Sequence, residues 1–130
     1  MVNLITSGTL ERYPGVRVVV PHCGSFLPNI LSRLTGITAL LASKGLCAPV
    51  DVTKSMDSLY FDIAGDALPA GIPILETIAP PEHILFGSDY PYTPAPMIHA
   101  KLQSFSAAMD EAKRRRIYRA NALKLLGRTD

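Results

Sequence analysis

Two side chains, His22 and Asp89, each stand just after a short apolar run. Asp89 follows Ile84-Leu85-Phe86-Gly87-Ser88 and opens a Tyr90-Pro91-Tyr92 turn, while His22 follows Val18-Val19-Val20-Pro21 and opens a loop through Cys23, Gly24, Ser25 and Phe26. An imidazole and a carboxylate suit a zinc, manganese or iron site, or a proton-transfer pair. Two ligands fall short of a catalytic zinc site, which uses three protein ligands and an open position. A plainer reading competes at Asp89, where an acid in a turn can form an Asx-turn or cap the next helix. Asp62, inside the run Leu59 to Ala64, is either a third site acid or a buried group satisfied by backbone donors. The second reading is preferred, because buried polar groups nearly always find partners. His83, after Pro80-Pro81-Glu82, and His99, beside Ile98, both read as solvent-facing. Cys23 reads as a small packing residue, since adjacency to His22 does not supply the geometry of a Cys–His nucleophile. Arg33 reads as an exposed helical arginine.

What these residues can do depends on the elements that carry them. Ile84 to Gly87 is short and apolar enough for a strand buried on both faces, and Pro91 bars further ladder pairing. Val16 to Pro21 predicts a β-branched strand, and Leu59 to Ala64 a third. Before them, Val2 to Arg12 predicts a short helix and a turn at Pro14-Gly15. Pro28 suits the first turn of a helix whose stripe is Ile30, Leu34, Ile37 and Leu41, widened by Leu31 and Leu40 and stopped at Gly45. Gly36 costs that helix up to ~1 kcal/mol relative to Ala, which close packing is expected to excuse. Leu46 to Ser58 reads as a loop with one helical turn near Val52 to Met56. Further helices are expected from Pro73 through Ile74, Leu75 and Ile78 to Pro80, and from about Met97 to Met109, burying Ile98, Leu102, Phe105 and Met109. A last helix starts near Glu111, breaks near Asn121 and ends through Leu125 and Leu126 at Gly127. The order α-β-α-β-α-β-α-α says α/β, with a parallel sheet and helices outside. Parallel strands gather their carboxyl ends at one rim, so His22 and Asp89 point toward the same place.

Whole-chain numbers exclude several classes. At 130 residues, 48% hydrophobic and 18% charged, the chain fits a single domain, 1–130, able to bury a core. A net charge of +2 gives no reason to expect nucleic acid as a partner. The basic run Lys113 to Arg116 follows Asp110 and Glu111 and reads as a solvated helix end. Cys23 and Cys47 make no disulfide framework, which favours a reducing compartment. No apolar run approaches the ~20 residues that span a bilayer, and the N-terminus lacks a signal-peptide pattern, so a soluble, cytoplasmic protein with no membrane contact is expected. A small nucleotide binder fits the α/β order but lacks a glycine-rich phosphate turn after any strand.

The run Gly8-Thr9-Leu10-Glu11-Arg12-Tyr13-Pro14, then Val18-Val19-Val20-Pro21-His22-Cys23-Gly24, Leu27-Pro28 and Arg33, resembles the amidohydrolase-2 branch of the metal-dependent amidohydrolases. This branch includes the aminocarboxymuconate-semialdehyde, γ-resorcylate and 6-methylsalicylate decarboxylases. Tyr60-Phe61-Asp62, Ile84 to Pro91 and Asn121-Ala122 continue the resemblance in order over nearly the whole chain. It implies a TIM (β/α)8 barrel with a metal at the carboxyl ends of its strands, the three strands here matching the sixth, seventh and eighth. Asp89 then matches the family's metal-binding aspartate, which the resemblance also implies would exchange a proton with the metal-bound water. His22 matches the histidine beside the metal that gives or takes a proton, and with Asp89 it is what the resemblance leaves of the usual metal shell. Arg33 falls where dimeric decarboxylases place an arginine that reaches a neighbouring subunit's substrate carboxylate, a bidentate match. The implied cofactor is a divalent metal, zinc first, with manganese or iron as alternatives. The implied partner is a small carboxylic-acid substrate. Where the family often has Gly or Ala, this chain has Cys23.

A departure limits these matches. Such a barrel needs ~250 residues, and the His-x-His of its first strand and the histidine of its fifth have no counterpart here. The sequence therefore resembles the C-terminal portion of such an enzyme, a partial barrel. Two functions follow. One is a fragment of a metal-dependent decarboxylase or hydrolase of a small aromatic or unsaturated carboxylic acid, taking missing ligands from another half or copy. The alternative is a non-catalytic, oligomer-forming remnant. In either case a barrel-lining face and two open edges favour a homodimer or higher oligomer.

Overall fold

β1 (Val18–Val20), β2 (Leu59–Asp62) and β3 (Ile84–Leu85) pair in that order, all parallel, in the computed structural model, which describes residues 1–129. Val18 lies opposite Leu59, Val20 opposite Phe61, and Phe61 opposite Ile84. Spatial order equals chain order, so both crossovers step the same way. A doubly wound sheet reverses that step and covers both faces with helices, whereas a barrel never reverses it. Burial agrees. Val20, Leu59, Phe61, Ile63 and Ile84 join the core with Ile5, Leu27, Val52, Ile72, Phe105 and Ile117 from the helical and connecting segments. Val19 and Tyr60, which alternate with them, face the other way, and Val19 is 41% exposed. The chain is thus an arc of a barrel, three parallel strands with flanking helices, as the sequence predicts.

Helices α1 (Val2–Thr6) and α2 (Thr9–Arg12) replace the single expected helix, divided at Gly8, whose φ of 68° is left-handed. α3 (Leu27–Ser43) carries Pro28 in its first turn and stops before Gly45. Its stripe is less buried than expected, with Ile37 and Leu41 both exposed. A Cβ on Gly36 would meet nothing within 4 Å, so close packing does not account for that glycine. α4 (Val52–Asp57) is capped by Asp51, whose carboxylate accepts the Lys54 amide at 3.0 Å. α5 covers Gly71–Leu75 instead of running from Pro73 to Pro80, with Pro73 inside its first turns, where a missing N–H costs nothing. α6 (Ala95–Ala108) buries Phe105, with Met109 buried just beyond it.

The last helical stretch does not break near Asn121. α7 (Glu111–Arg115) passes through a π-helical turn, Arg116–Ala120, into α8 (Asn121–Leu125). The basic run therefore opens this stretch instead of ending it, and Lys113 pairs with Glu76 at 2.6 Å. In the π turn the Asn121 amide reaches back to the Arg116 carbonyl, passing over Ile117, whose carbonyl accepts the Phe86 N–H at 2.9 Å. That bond extends β3 beyond Leu85 onto a helix. The Asn121 side chain, 4% exposed, donates both amide hydrogens across the same junction, to Pro81 O at 2.8 Å and Ile84 O at 2.7 Å. Asn121 thus fixes the segment that leads to Asp89.

Asn121→Ala should leave two carbonyls without their donor and destabilise the chain by about 2 kcal/mol in denaturant unfolding. A change of less than about 0.5 kcal/mol would show that water replaces the amide.

Candidate functional site

The loop after β1 leaves the sheet with an unusual backbone. Pro21 is extended, and then His22, Cys23, Gly24 and Ser25 all have positive φ, 56°, 52°, 77° and 53°. Non-glycine residues occupy this region at a cost of roughly 1 kcal/mol each, so contacts must hold the loop. Three are evident. The His22 amide donates to Asp62 Oδ1 at 2.9 Å. Cys23 is buried in the core, its Sγ 3.2 Å from where a Cβ on Gly71 would lie. The His22 ring lies against Gly65, where an added Cβ would come 2.8 Å from Nδ1.

The loop after β3 presents Asp89 in a similar manner, with φ 61°. Neither plain reading of this acid fits. An Asx-turn needs an N–H two residues on, and that residue is Pro91. The cap position of α6 is Pro94, with no side-chain bond. Instead, Thr93 folds back. Its amide donates to the Asp89 carbonyl at 2.8 Å, and its hydroxyl to Asp89 Oδ2 at 2.9 Å. Thr93 is buried, so one carboxylate oxygen is held from within and Oδ1 is left facing His22.

His22 Nε2 and Asp89 Oδ1 are 3.9 Å apart, their side chains 47% and 26% exposed. The two residues that the sequence nominates thus meet at the carboxyl rim. Among the described residues no group of three His, Cys, Asp or Glu could hold a metal ion. Two donors do not make a metal shell, so the described residues do not hold one by themselves. A cleft of about 140 Å³ beside His22 is lined by Ser25, Asn29, Ala64, Asp66 and Gly71. The larger cavity, about 380 Å³, lies instead at the strands' amino ends, between Arg17, Lys54, Ser58, Tyr60 and His83, and includes neither candidate.

The other nominated residues separate. Asp62 is satisfied by backbone donors as expected, accepting the Ala64 amide at 3.0 Å as well as that of His22. Arg33 is exposed on α3, with no ion pair among the described residues and no place in the His22 cleft. His99 is exposed, as expected. His83 is not solvent-facing. It is half-buried, stacked on Tyr60 at 4.2 Å between centroids, and its Nδ1 lies 3.0 Å from the Leu59 carbonyl, which can only accept. Burial, then the Asp62 charge, push the Cys23 thiol up to about 11, which suits a packing residue and not a nucleophile. Thr93, Gly65 and Gly87 do not stand out in the sequence. Thr93 carries the one local signal, a hydroxyl four residues after the acid.

A family model for amidohydrolases matches residues 1–128. The 6-methylsalicylic acid decarboxylase of Penicillium expansum is 30% identical over 128 residues, 97% of this chain and 39% of that protein. A crystal structure of an amidohydrolase II superposes with TM-score 0.83 at 32% identity, covering 97% of this chain and 40% of its own. A 5-carboxyvanillate decarboxylase from Novosphingobium aromaticivorans, complexed with manganese and 4-hydroxy-3-methoxy-5-nitrobenzoic acid, has the same fold. Its TM-score is 0.83 at 20% identity, covering 97% of this chain and 37% of that one. The chain spans about 40% of the length of these relatives.

Thr93→Val keeps the shape and removes the hydroxyl from Asp89, and should cost about 1–2 kcal/mol in denaturant unfolding. The thiols should also differ. At pH 8 iodoacetamide should modify exposed Cys47, while Cys23 reacts only once the chain is unfolded, as read by mass spectrometry. The sign follows from the raised thiol: its contribution to stability is full below pH 9.0 and declines as pH rises towards about 11.

Proposed function

The chain belongs to the amidohydrolase family, and on that premise we propose that it is the C-terminal part of a metal-dependent decarboxylase. The observation that carries the reading is the meeting of His22 Nε2 and Asp89 Oδ1 at 3.9 Å on the carboxyl rim. In this reading the substrate is a small aromatic or unsaturated carboxylic acid, a class supported by the relatives' names. Hydrolysis of such an acid at the same rim is the alternative reaction. Asp89 and His22 would hold the divalent metal, which would orient the substrate. Zinc remains in the proposal, while the manganese-bound relative supports manganese. The remaining donors come from the rest of the barrel or from a second copy of this chain. The relatives lend the non-catalytic alternative no support.

This chain's own residues contribute binding, orientation and proton transfer. Decarboxylation breaks a carbon–carboxylate bond, releases carbon dioxide and leaves a carbon that must take a proton. Imidazole exchanges protons readily near neutral pH, and the left-handed turn at His22 turns its ring to the rim. Thr93 holds one oxygen of Asp89, so the other keeps a fixed direction. Arg33 is proposed to pair with the substrate carboxylate of a neighbouring copy, a geometry that guanidinium fits. Association as a homodimer or larger oligomer draws support from Ile37, Leu40 and Leu41, all exposed on α3. No helix among the described residues is long and apolar enough to cross a membrane. The free thiols of Cys23 and Cys47 support a cytoplasmic location.

Titration with Mn²⁺ and with Zn²⁺ of the chain combined with the unmatched remainder of the Penicillium expansum decarboxylase, which supplies the remaining donors, tests the ligand role beside the same assembly carrying Asp89→Ala. Saturable binding that weakens at least about tenfold in the variant is expected. Equal binding by both proteins, or none by either at millimolar metal, would overturn it. Carbon dioxide release from hydroxybenzoic acids, by the chain combined with the unmatched remainder of the Penicillium expansum decarboxylase, should fall about a hundredfold in His22→Ala. Sedimentation at micromolar concentration should give a dimer or larger species, and a monomer would count against association.

A further inference from the structure

We propose that Asp62 is a positioning residue whose carboxylate sets where the His22 imidazole stands relative to Asp89. The inference rests on reading His22 and Asp89 as the site pair, and it assigns Asp62 more than its own satisfaction.

Three chain segments meet at this one group. Asp62 is the last residue of β2, and its Oδ1 accepts the His22 amide from the loop after β1 at 2.9 Å. The same oxygen accepts the Ala64 amide at 3.0 Å, so it cannot swing away from His22 without leaving β2's own continuation unpaired. The third segment is the loop after β3. An added Cβ on Gly87 would lie 2.8 Å from Asp62 Cγ and 2.9 Å from Oδ2. Glycine at 87, two residues before Asp89, is what lets the carboxylate stand there.

The His22 bond has a specific task. With φ at 56°, His22 sits in a region that a β-carbon-bearing residue adopts only under constraint, and the hydrogen bond from its amide to a charged acceptor offsets that strain. Without that bond the extended region becomes competitive, and a change of φ redirects the ring. In the native loop the ring lies against Gly65, whose absent side chain leaves it room. Asp62 thus acts on His22 through the backbone and touches neither the imidazole nor Asp89's carboxylate in any bond among the described residues.

The test needs neither metal nor substrate. In nuclear magnetic resonance spectra, the Overhauser signal between the His22 ring and the Gly65 α-hydrogens reports ring placement. Exchange of the His22 amide with solvent reports the bond. In Asp62→Ala the signal should vanish and the His22 amide should exchange about tenfold faster or more, while core amides such as Phe61 stay protected. Asp62→Asn, whose carbonyl oxygen can still accept both amides, should retain the signal. Gly87→Ala, which crowds the carboxylate, should abolish it as Asp62→Ala does. A folded Asp62→Ala chain that keeps the signal overturns the proposal, as does an Asp62→Asn chain without it. If Asp62→Ala does not fold, a folded Gly87→Ala chain decides: absence of the Overhauser signal supports the proposal, and its persistence overturns it. Failure of metal binding with these results intact would sink the function reading and leave the positioning role standing.

Discussion

One carboxylate oxygen, Asp62 Oδ1, receives two backbone hydrogens, and through them the ends of β1 and β2 are tied together. The constraint matters because the strands themselves are short. β1 spans Val18–Val20 and β3 only Ile84–Leu85, so the ladder alone gives few bonds with which to orient the loops that follow. The rim is therefore built by side chains that reach across segments. Asp62 ties the loop after β1, Thr93 ties that after β3, and Asn121 anchors the approach to β3 from the far end of the chain. Each of these bonds uses an ionised acceptor or a buried amide, the kinds that lose most when broken.

The sequence conveyed the fold through local regularities. Val18 to Val20 and Leu59 to Ala64 carry β-branched and aromatic residues, and Pro28 and Gly45 bracket α3 to within about two residues. The rim placement of His22 and Asp89 also follows from strand polarity. What escaped was long-range. Asn121 bonds residues 40 and 37 positions away, and His22 bonds Asp62 at a separation of 40. His83 resembles a turn residue in water because its partners, Leu59 and Tyr60, stand on a different strand. The π turn has no local signature at all: it is the register shift that lets Ile117 meet Phe86.

Exposure weakens the contact between His22 and Asp89. An imidazole and a carboxylate at 3.9 Å with water around them interact by only about 1 kcal/mol even when the imidazole is charged. Covering the rim with the remainder of a barrel would lower the local dielectric and strengthen every interaction there. It would also cover Val19 and Tyr60 on the open face of the sheet. The exposed pair and the exposed face are two aspects of one geometry, an arc whose concave side stands open.

The consecutive left-handed residues His22 to Ser25 carry a further consequence, for mutational tolerance. Three of the four have side chains, and the usual relief, glycine, is taken only at Gly24. Substitutions here are thus sorted by backbone before chemistry. Glycine at Ser25 would relax the turn, whereas valine, isoleucine or threonine at Cys23 or Ser25 would meet a backbone that their branched carbons resist. A mutational scan of the chain would show this loop as a narrow band of intolerance to β-branched residues, unrelated to polarity and distinct from the core.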